Sequence, residues 1–442
     1  MRQCSLNFSR AARPALYKHR AYTILAHKIE NPPQRLEPLP INLSQARPGP
    51  FALVSSELNQ IRDRLLNLVG SAHPSLDDTA KYFLLRPAVQ LRSLLVLLFS
   101  RATNGFGQDW QRKTWEADCE RTAGLTTVID DALQNPDVLH DWHRTMSDTT
   151  VSFSTVFDLQ HPFAQEQGFR TTPSFPPASS RTEPTILPSQ IRLGQMMEMV
   201  HIASLLHDVV YDGHKPGTNV IGNKLTILGG DFLLGRVSAV LPRLGENEVV
   251  ELVSGIISNI VEGEMLRMEG IKTPRLGVLN GPKSASDAWE QYLKKIYLKS
   301  ASLMAKGTRA SVVLGGCPDG DILKEVAYAY GRNIGFAKQL MDDARDYEFG
   351  SSNVQSGLAA APALYAMEEH SELFPIISRH MSRDGDVECV IDCVRSSSSV
   401  ERTRDLARTY GNEAKEVLHL LPDSDATSAL ETLIEDILAG SC

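Results

Sequence analysis

Six cysteines occur in 442 residues (Cys4, Cys119, Cys317, Cys389, Cys393 and Cys442), and none forms a Cys-x-x-Cys pair. Neither a disulfide framework nor a zinc site is therefore suggested. No run of about 18 apolar residues is present, so no membrane-spanning candidate is expected. Acid is missing from residues 1–29, which carry Arg2, Arg10, Arg13, Lys18, Arg20 and Lys28; the first acidic residue is Glu30. An acid-free, arginine-bearing start predicts a mitochondrial presequence over 1–30. Over the whole chain 45 basic and 53 acidic residues give 45 − 53 = −8. That excess disfavours a general nucleic-acid binder.

Residues 31–50 hold Pro32, Pro33, Pro38, Pro40, Pro48 and Pro50 and are expected to form a linker. Beyond it, 51–442 is expected to be a single helical domain. Leu58, Ile61, Leu65, Leu66 and Val69 recur at helical spacing, and Leu91 to Leu98 is dense enough for a buried helix. The stretch 104–190 is rich in Gly, Pro, Ser, Thr and Asp, and SFPPASSRTEPTILPS within it has no periodicity. A polar, partly disordered surface insertion with one or two short helices is predicted there. From 191 onward the segments 191–212, 222–242, 246–268, 286–314 and 319–347 each carry the i, i+3, i+4 pattern, and strand alternation is lacking. Long helices with short links predict an all-α bundle.

Two acidic pairs carry chemistry. In GFAKQLMDDARDYE, Asp342 and Asp346 stand at i, i+4 with Asp343 adjacent, so a single helix face gathers carboxylates. In HIASLLHDVVYDG, Asp208 and Asp212 repeat that spacing on a mostly apolar helix, where unpaired acids are costly to bury. Carboxylate oxygens suit Mg²⁺, and Mg²⁺ is commonly shared with substrate phosphates. Two such helices facing each other would hold metal ions from both sides, with a diphosphate as the ligand.

The strings ILPSQIRLGQMMEMVHIASLLHDVVYD, GNKLTILGGDFLLGR, NIVEGEM, YLKKIYLKSASLMAKGTRASVVLGG and GFAKQLMDDARDY cover roughly 190–350, and SLLVLLFSRAT extends them toward the first helices. In order and spacing the chain resembles the trans-isoprenyl (polyprenyl) diphosphate synthases, most closely the fungal mitochondrial hexaprenyl-type enzymes of ubiquinone side-chain synthesis. The resemblance implies a helical bundle of the isoprenoid-synthase type around a central diphosphate and metal cavity. It implies an allylic diphosphate that loses pyrophosphate, attack by isopentenyl diphosphate, and loss of a proton. Mg²⁺ would be held by Asp208, Asp212, Asp342, Asp343 and Asp346, with Asp208, Asp212, Asp342 and Lys299 as the catalytic set. Substrates would be held by Arg92, His201, Lys299, Ser300 and Gln339. A homodimer, or a heteromer with a full-motif homologue, is implied, located in the mitochondrial matrix or peripheral to the inner membrane. Ala203 and Ser204, five and four residues before Asp208, are small and leave room for a long product.

The sequence also departs from that family. Val209 stands where DDxxD has its second aspartate, and Val89 replaces the lysine of Gly-Lys-x-x-Arg-Pro. GHKPGTN replaces the arginine pair after the first motif, where His214 and Lys215 give only partial replacement, and Lys338 replaces the customary Phe before Gln339. These losses also fit a catalytically impaired partner subunit of a heteromeric synthase, or a diverged paralogue in isoprenoid secondary metabolism. Terpene cyclisation on a similar helical fold fits less well, because DDARD is retained in the second motif.

Overall fold

The computed structural model describes residues 49–72, 90–135, 185–211, 220–269, 281–349 and 359–440. The expected presequence, most of the Pro-rich linker and Asp212 lie outside these residues. Residues Pro48–Cys442 form one compact unit. Among the described residues every regular element is a helix, as the sequence pattern predicts.

After a helical turn at Pro50–Leu53 come α1 (Ser55–Ala72), α2 (Leu91–Thr103), α3 (Trp110–Thr122), α4 (Leu125–Asp131), α5 (Pro188–Tyr211), α6 (Val220–Val240) and α7 (Asn247–Glu269). They continue as α8 (Ala285–Ile296), α9 (Ser302–Leu314), α10 (Ile322–Phe349), α11 (Ala361–Glu369), α12 (Phe374–Ser378), α13 (Asp386–Ser396), α14 (Ser399–Leu418) and α15 (Asp425–Leu438). The main core runs from α1 and α2 through α5, α7, α9 and α10 to α15. A second core joins α8, the C-terminal half of α10, α11, α13 and α14.

Helix α8 shows how the pattern works. Ser284 caps it by accepting the backbone N–H of Asp287 at 3.1 Å. Ala288, Tyr292 and Ile296, each four residues apart, are its buried stripe. The helix does not end at Ile296. It passes through a π-helical turn, Tyr297–Ala301, into α9. Inserted turns of this kind reset the register of a helix and recur at functional sites. This one carries Lys299 and Ser300.

Residues 104–135 carry short helices, as expected, but differ from a surface insertion in that their last turn reaches the core. They hold α3 and α4, and Ala132 and Leu133 are fully buried in the main core. The anchor is Arg192 of α5, whose side chain is 1% exposed. Its Nε donates to Asp130 at 2.7 Å and its terminal nitrogens bond Glu120. Arg64 of α1 reaches the other oxygen of Asp130, also at 2.7 Å. Glu120 and Asp130 of this stretch thus belong to a buried ion network with Arg64 and Arg192. Residues 136–184 of the same stretch lie outside the described residues.

A second difference concerns α6. Residues Lys224–Leu244 have mean hydropathy 1.3 and are long and apolar enough to cross a membrane, although no continuous apolar run marks them. In the fold Leu233, Val237 and Val240 join the main core, and the buried Arg236 donates to the carbonyls of Ala132 and Asn135 at 2.9 and 2.7 Å. Packing of these residues in the core accounts for part of that composition.

Replacing Arg192 by Met strands two carboxylates at a buried site. The expected loss of stability is about 3–5 kcal/mol, read from the midpoint of urea unfolding. Arg192→Lys should lose less, because the charge remains without the fork. A loss below ~1 kcal/mol for the Met variant would contradict the clamp.

Candidate functional site

The π turn is the centre of the site. The Lys299 ammonium donates to both oxygens of Asp208 in α5, at 3.2 Å each, and to Glu264 Oε2 in α7 at 2.5 Å. Arg267, one turn beyond Glu264, bonds that carboxylate through Nε and Nη2 at 2.6–3.1 Å and lies 3.9 Å from Asp208. The close approach of α7 depends on Gly263: a Cβ there would lie 2.7 Å from Lys299 Cγ and 3.0 Å from Leu298 Cβ. Gly335 does the same for α10, where a Cβ would meet the Ala301 backbone at 2.6 Å. Glycine at these two positions lets two helices close on the turn.

Burial raises the carboxyl of Asp208, against the opposing charge of Lys299. Burial also acts to raise Glu264, but the bonds from Arg267 and Lys299 outweigh it and hold the group down at about 2. Of the two acids that share Lys299, Glu264 is therefore the firmly ionised one.

On α10 the three aspartates differ. Asp342 is chelated by Lys338 one turn earlier, at 2.6 and 2.7 Å. Asp343 is turned inward and buried: Tyr292 donates to one oxygen at 2.6 Å and Gln339 to the other at 2.9 Å. Burial raises its pKa, and the ammonium of Lys295 opposes that rise. Lys295 is itself lowered by burial and sits 5.3 Å above the Tyr292 ring. Asp346 is partly buried one turn beyond Asp342. Asp343 thus holds the α8–α10 junction, while Asp342 and Asp346 share the helix face, as their spacing predicts.

Arg92 and His201 complete the centre. Glu198, fully buried on α5, accepts the N–H of Ser93 at 2.8 Å and its hydroxyl at 3.1 Å. Glu198 and Asp342 both act on the guanidinium of Arg92, whose pKa burial lowers. Arg92 Nε and Glu198 Oε2 are buried without a hydrogen-bond partner. Burial, then the charges of Arg92 and Lys299, push the His201 imidazole well below its usual range, so it is neutral near pH 7. Ser300 is partly buried beside Lys299. The structure therefore brings Arg92, His201, Asp208, Lys299, Ser300, Gln339, Asp342, Asp343 and Asp346 into one linked region. Glu198, Glu264, Tyr292, Lys295 and Arg267 are members that motif spacing alone does not single out.

The donor set suits a hard divalent cation with an anionic ligand. Oxygen carboxylates lie on α5 and α10, and a buried arginine Nε lacks an acceptor. A diphosphate would supply that acceptor.

In sequence and in fold the chain is similar to known proteins. Residues 175–394 match the polyprenyl synthetase family. The probable mitochondrial hexaprenyl pyrophosphate synthase of Neurospora crassa is 36% identical over 395 residues, covering 86% of this chain and 79% of that one. Decaprenyl-diphosphate synthase subunit 1 of Schizosaccharomyces pombe is 31% identical, covering 87% and 90%. In fold the chain is similar to a Caulobacter crescentus polyprenyl synthase solved with calcium and isoprenyl diphosphate. Identity to that structure is 20%, the TM-score is 0.57, and 89% of this chain and 99% of that one are covered.

Two outcomes are expected from these contacts. Burial raises Glu198 from 4.5 to about 7. Because the folded state holds that proton more tightly, the group's contribution to stability is complete below pH 4.5 and is lost as pH rises toward 7. Glu198→Gln removes the dependence, so the stability of the native chain minus that of the variant should fall across this window. A flat difference in urea unfolding would count against it. Separately, Lys338→Met releases Asp342 from a partly exposed pair of up to ~1 kcal/mol, so Mg²⁺ should bind about fivefold tighter in calorimetry; unchanged or weaker binding would contradict the pairing.

Proposed function

This chain belongs to the polyprenyl synthetase family, and on that premise we propose that it joins an allylic diphosphate to isopentenyl diphosphate to build a long polyprenyl diphosphate. The observation that carries the reading is the Lys299 bridge, which seats one cation among carboxylates of α5 and α7 beside the acidic face of α10. In mitochondria, where the Neurospora crassa relative is placed by its name, the product would serve ubiquinone side-chain synthesis.

Asp208, Asp342 and Asp346 would hold the divalent cations, taken here as Mg²⁺, with Asp212 adding to them. Bound metal would supply the positive charge that stabilises departing pyrophosphate. The chain's own groups do the rest. Lys299 transfers hydrogen bonds from Asp208 and Glu264 to a phosphate oxygen of the allylic substrate, and Ser300 offers a hydroxyl beside it. Arg267 stays on Glu264 and keeps it ionised, so Lys299 is not lost to solvent. Arg92 points its unpartnered Nε at isopentenyl diphosphate, and neutral His201 donates one N–H there without adding charge. Gln339 and Tyr292 fix Asp343, and with it the rotation of α10. Ala203, fully buried, and Ser204 leave the deeper turn of α5 narrow in side chain, which permits a long product.

A second reading has its own support. Val209 and Val89 each remove a charged group that the resemblance assigns to metal or substrate, and the Schizosaccharomyces pombe relative is named as a subunit. In that reading the chain works as a heteromer with a full-motif homologue.

Purified chain, Mg²⁺, farnesyl diphosphate and labelled isopentenyl diphosphate distinguish the two. Labelled polyprenyl product is expected from the chain alone. Asp342→Asn and Lys299→Met should each lower kcat/KM by about 10²–10³. Product only after mixing with a full-motif homologue would replace the autonomous reading by the subunit one.

A further inference from the structure

A second group of side chains with metal-ligating atoms lies at the solvent edge of the second core, formed by residues that the diphosphate chemistry does not use. His370 closes α11, Glu372 lies in the 3-10 turn Ser371–Leu373, and Cys389 and Cys393 stand one turn apart on α13. The ligand atoms of His370, Glu372 and Cys393 all lie within 4.8 Å of one another. His370 Nδ1 is 3.3 Å from Glu372 Oε1. Cys389 stands one turn before Cys393 on the same helix face, so a fourth donor adjoins the three.

We propose that His370, Glu372, Cys389 and Cys393 form a structural zinc site that clips the end of α11 to α13. The geometry is close to what the ion requires. With ligand bonds of about 2.0–2.3 Å, a tetrahedral site has edges of about 3.3–3.8 Å between donor atoms. The His370–Glu372 spacing of 3.3 Å already meets that edge. Cys393 needs to contract by up to about 1 Å, and the exposed Cys389 needs to turn its sulfur toward the group, both by side-chain torsion.

The donor chemistry selects the metal. Two thiolates and an imidazole favour zinc over Mg²⁺, which prefers oxygen alone. The diphosphate centre, with its oxygen carboxylates, has the opposite preference, so one chain would sort two metals by ligand softness. Four protein donors leave no open position, so the expected role is structural. The absence of Cys-x-x-Cys spacing does not weigh against it. On a helix, residues four apart share a face, and Cys-x-x-x-Cys presents two sulfurs as a pair.

The metal-free full chain, kept reduced, is titrated with Co²⁺ alone. One equivalent should give thiolate-to-cobalt charge-transfer absorption that one equivalent of Zn²⁺ displaces and excess Mg²⁺ does not. Zn²⁺ should also raise the thermal unfolding midpoint. Cys389→Ser with Cys393→Ser, and separately His370→Ala, should abolish both effects, while Cys119→Ser keeps them; helical circular dichroism checks that each variant folds. Absent thiolate absorption, or absorption that persists in the double-serine variant, overturns the proposal. These readouts are independent of prenyl transfer.

Discussion

The Lys299 ammonium is the contact on which the rest of the centre depends. A bundle that gathers carboxylates from α5, α7 and α10 cannot bury them unpaired, since each isolated charge would cost several kcal/mol. Lys299 answers two of them at once, and Arg267 seconds it on Glu264. The π turn is what allows this. In an uninterrupted helix from Ala285 to Leu314, the residues after the turn would be rotated to a different register, and Lys299 would not meet both α5 and α7. The two glycines that let α7 and α10 approach are consequences of the same requirement.

Around that contact the polar interior is sorted into pairs. Lys338 serves Asp342, Lys295 balances Asp343, and Arg92 faces Glu198. The partners differ in how firmly they are held. Asp343 has both oxygens engaged by neutral donors from two helices, so it behaves as part of the frame. Asp208 and Asp342 are held by lysines, whose flexible stems can move to a new acceptor at small cost. Arg92 keeps an unused donor. The centre is thus rigid where α8 and α10 join and exchangeable where an anion would arrive.

What could be read in the sequence follows from this division. Within one helix, spacing determines which side chains share a face, so Asp342 with Asp346 was visible as a pair, and the helical segments from 191 onward closely match α5 to α10. Cross-helix partners are set by crossing angle and close approach, which spacing does not encode. Glu264, Arg267, Lys295 and Tyr292 therefore became recognisable only once α7 and α8 were placed. The buried part of residues 104–135 was hidden for a related reason. Glu120 and Asp130 compensate an arginine 72 and 62 positions away, and composition alone cannot separate a compensating acid from a solvated one. In the same way Lys338 read as the loss of an aromatic, although it supplies the cation for Asp342.

The internal pairing bears on how metal and substrate act together. In the chain without ligands, Asp208 and Asp342 already have ammonium partners. A divalent cation arriving alone must displace those ammonium groups and leave them unpaired near the interior, which offsets much of its own attraction. A diphosphate arriving with it gives Lys299 a new acceptor and gives Arg92 Nε its first. On the proposed function each ligand would thereby remove the cost that the other incurs, so the two would bind cooperatively, with a coupling that is reciprocal by linkage. The same logic weighs the departures at Val89 and Val209. They reduce the charge offered to substrate and to metal respectively, but the resident lysines keep the ligand-free state from being strained. The chain can therefore afford weaker affinity for each ligand without losing the stability of its centre.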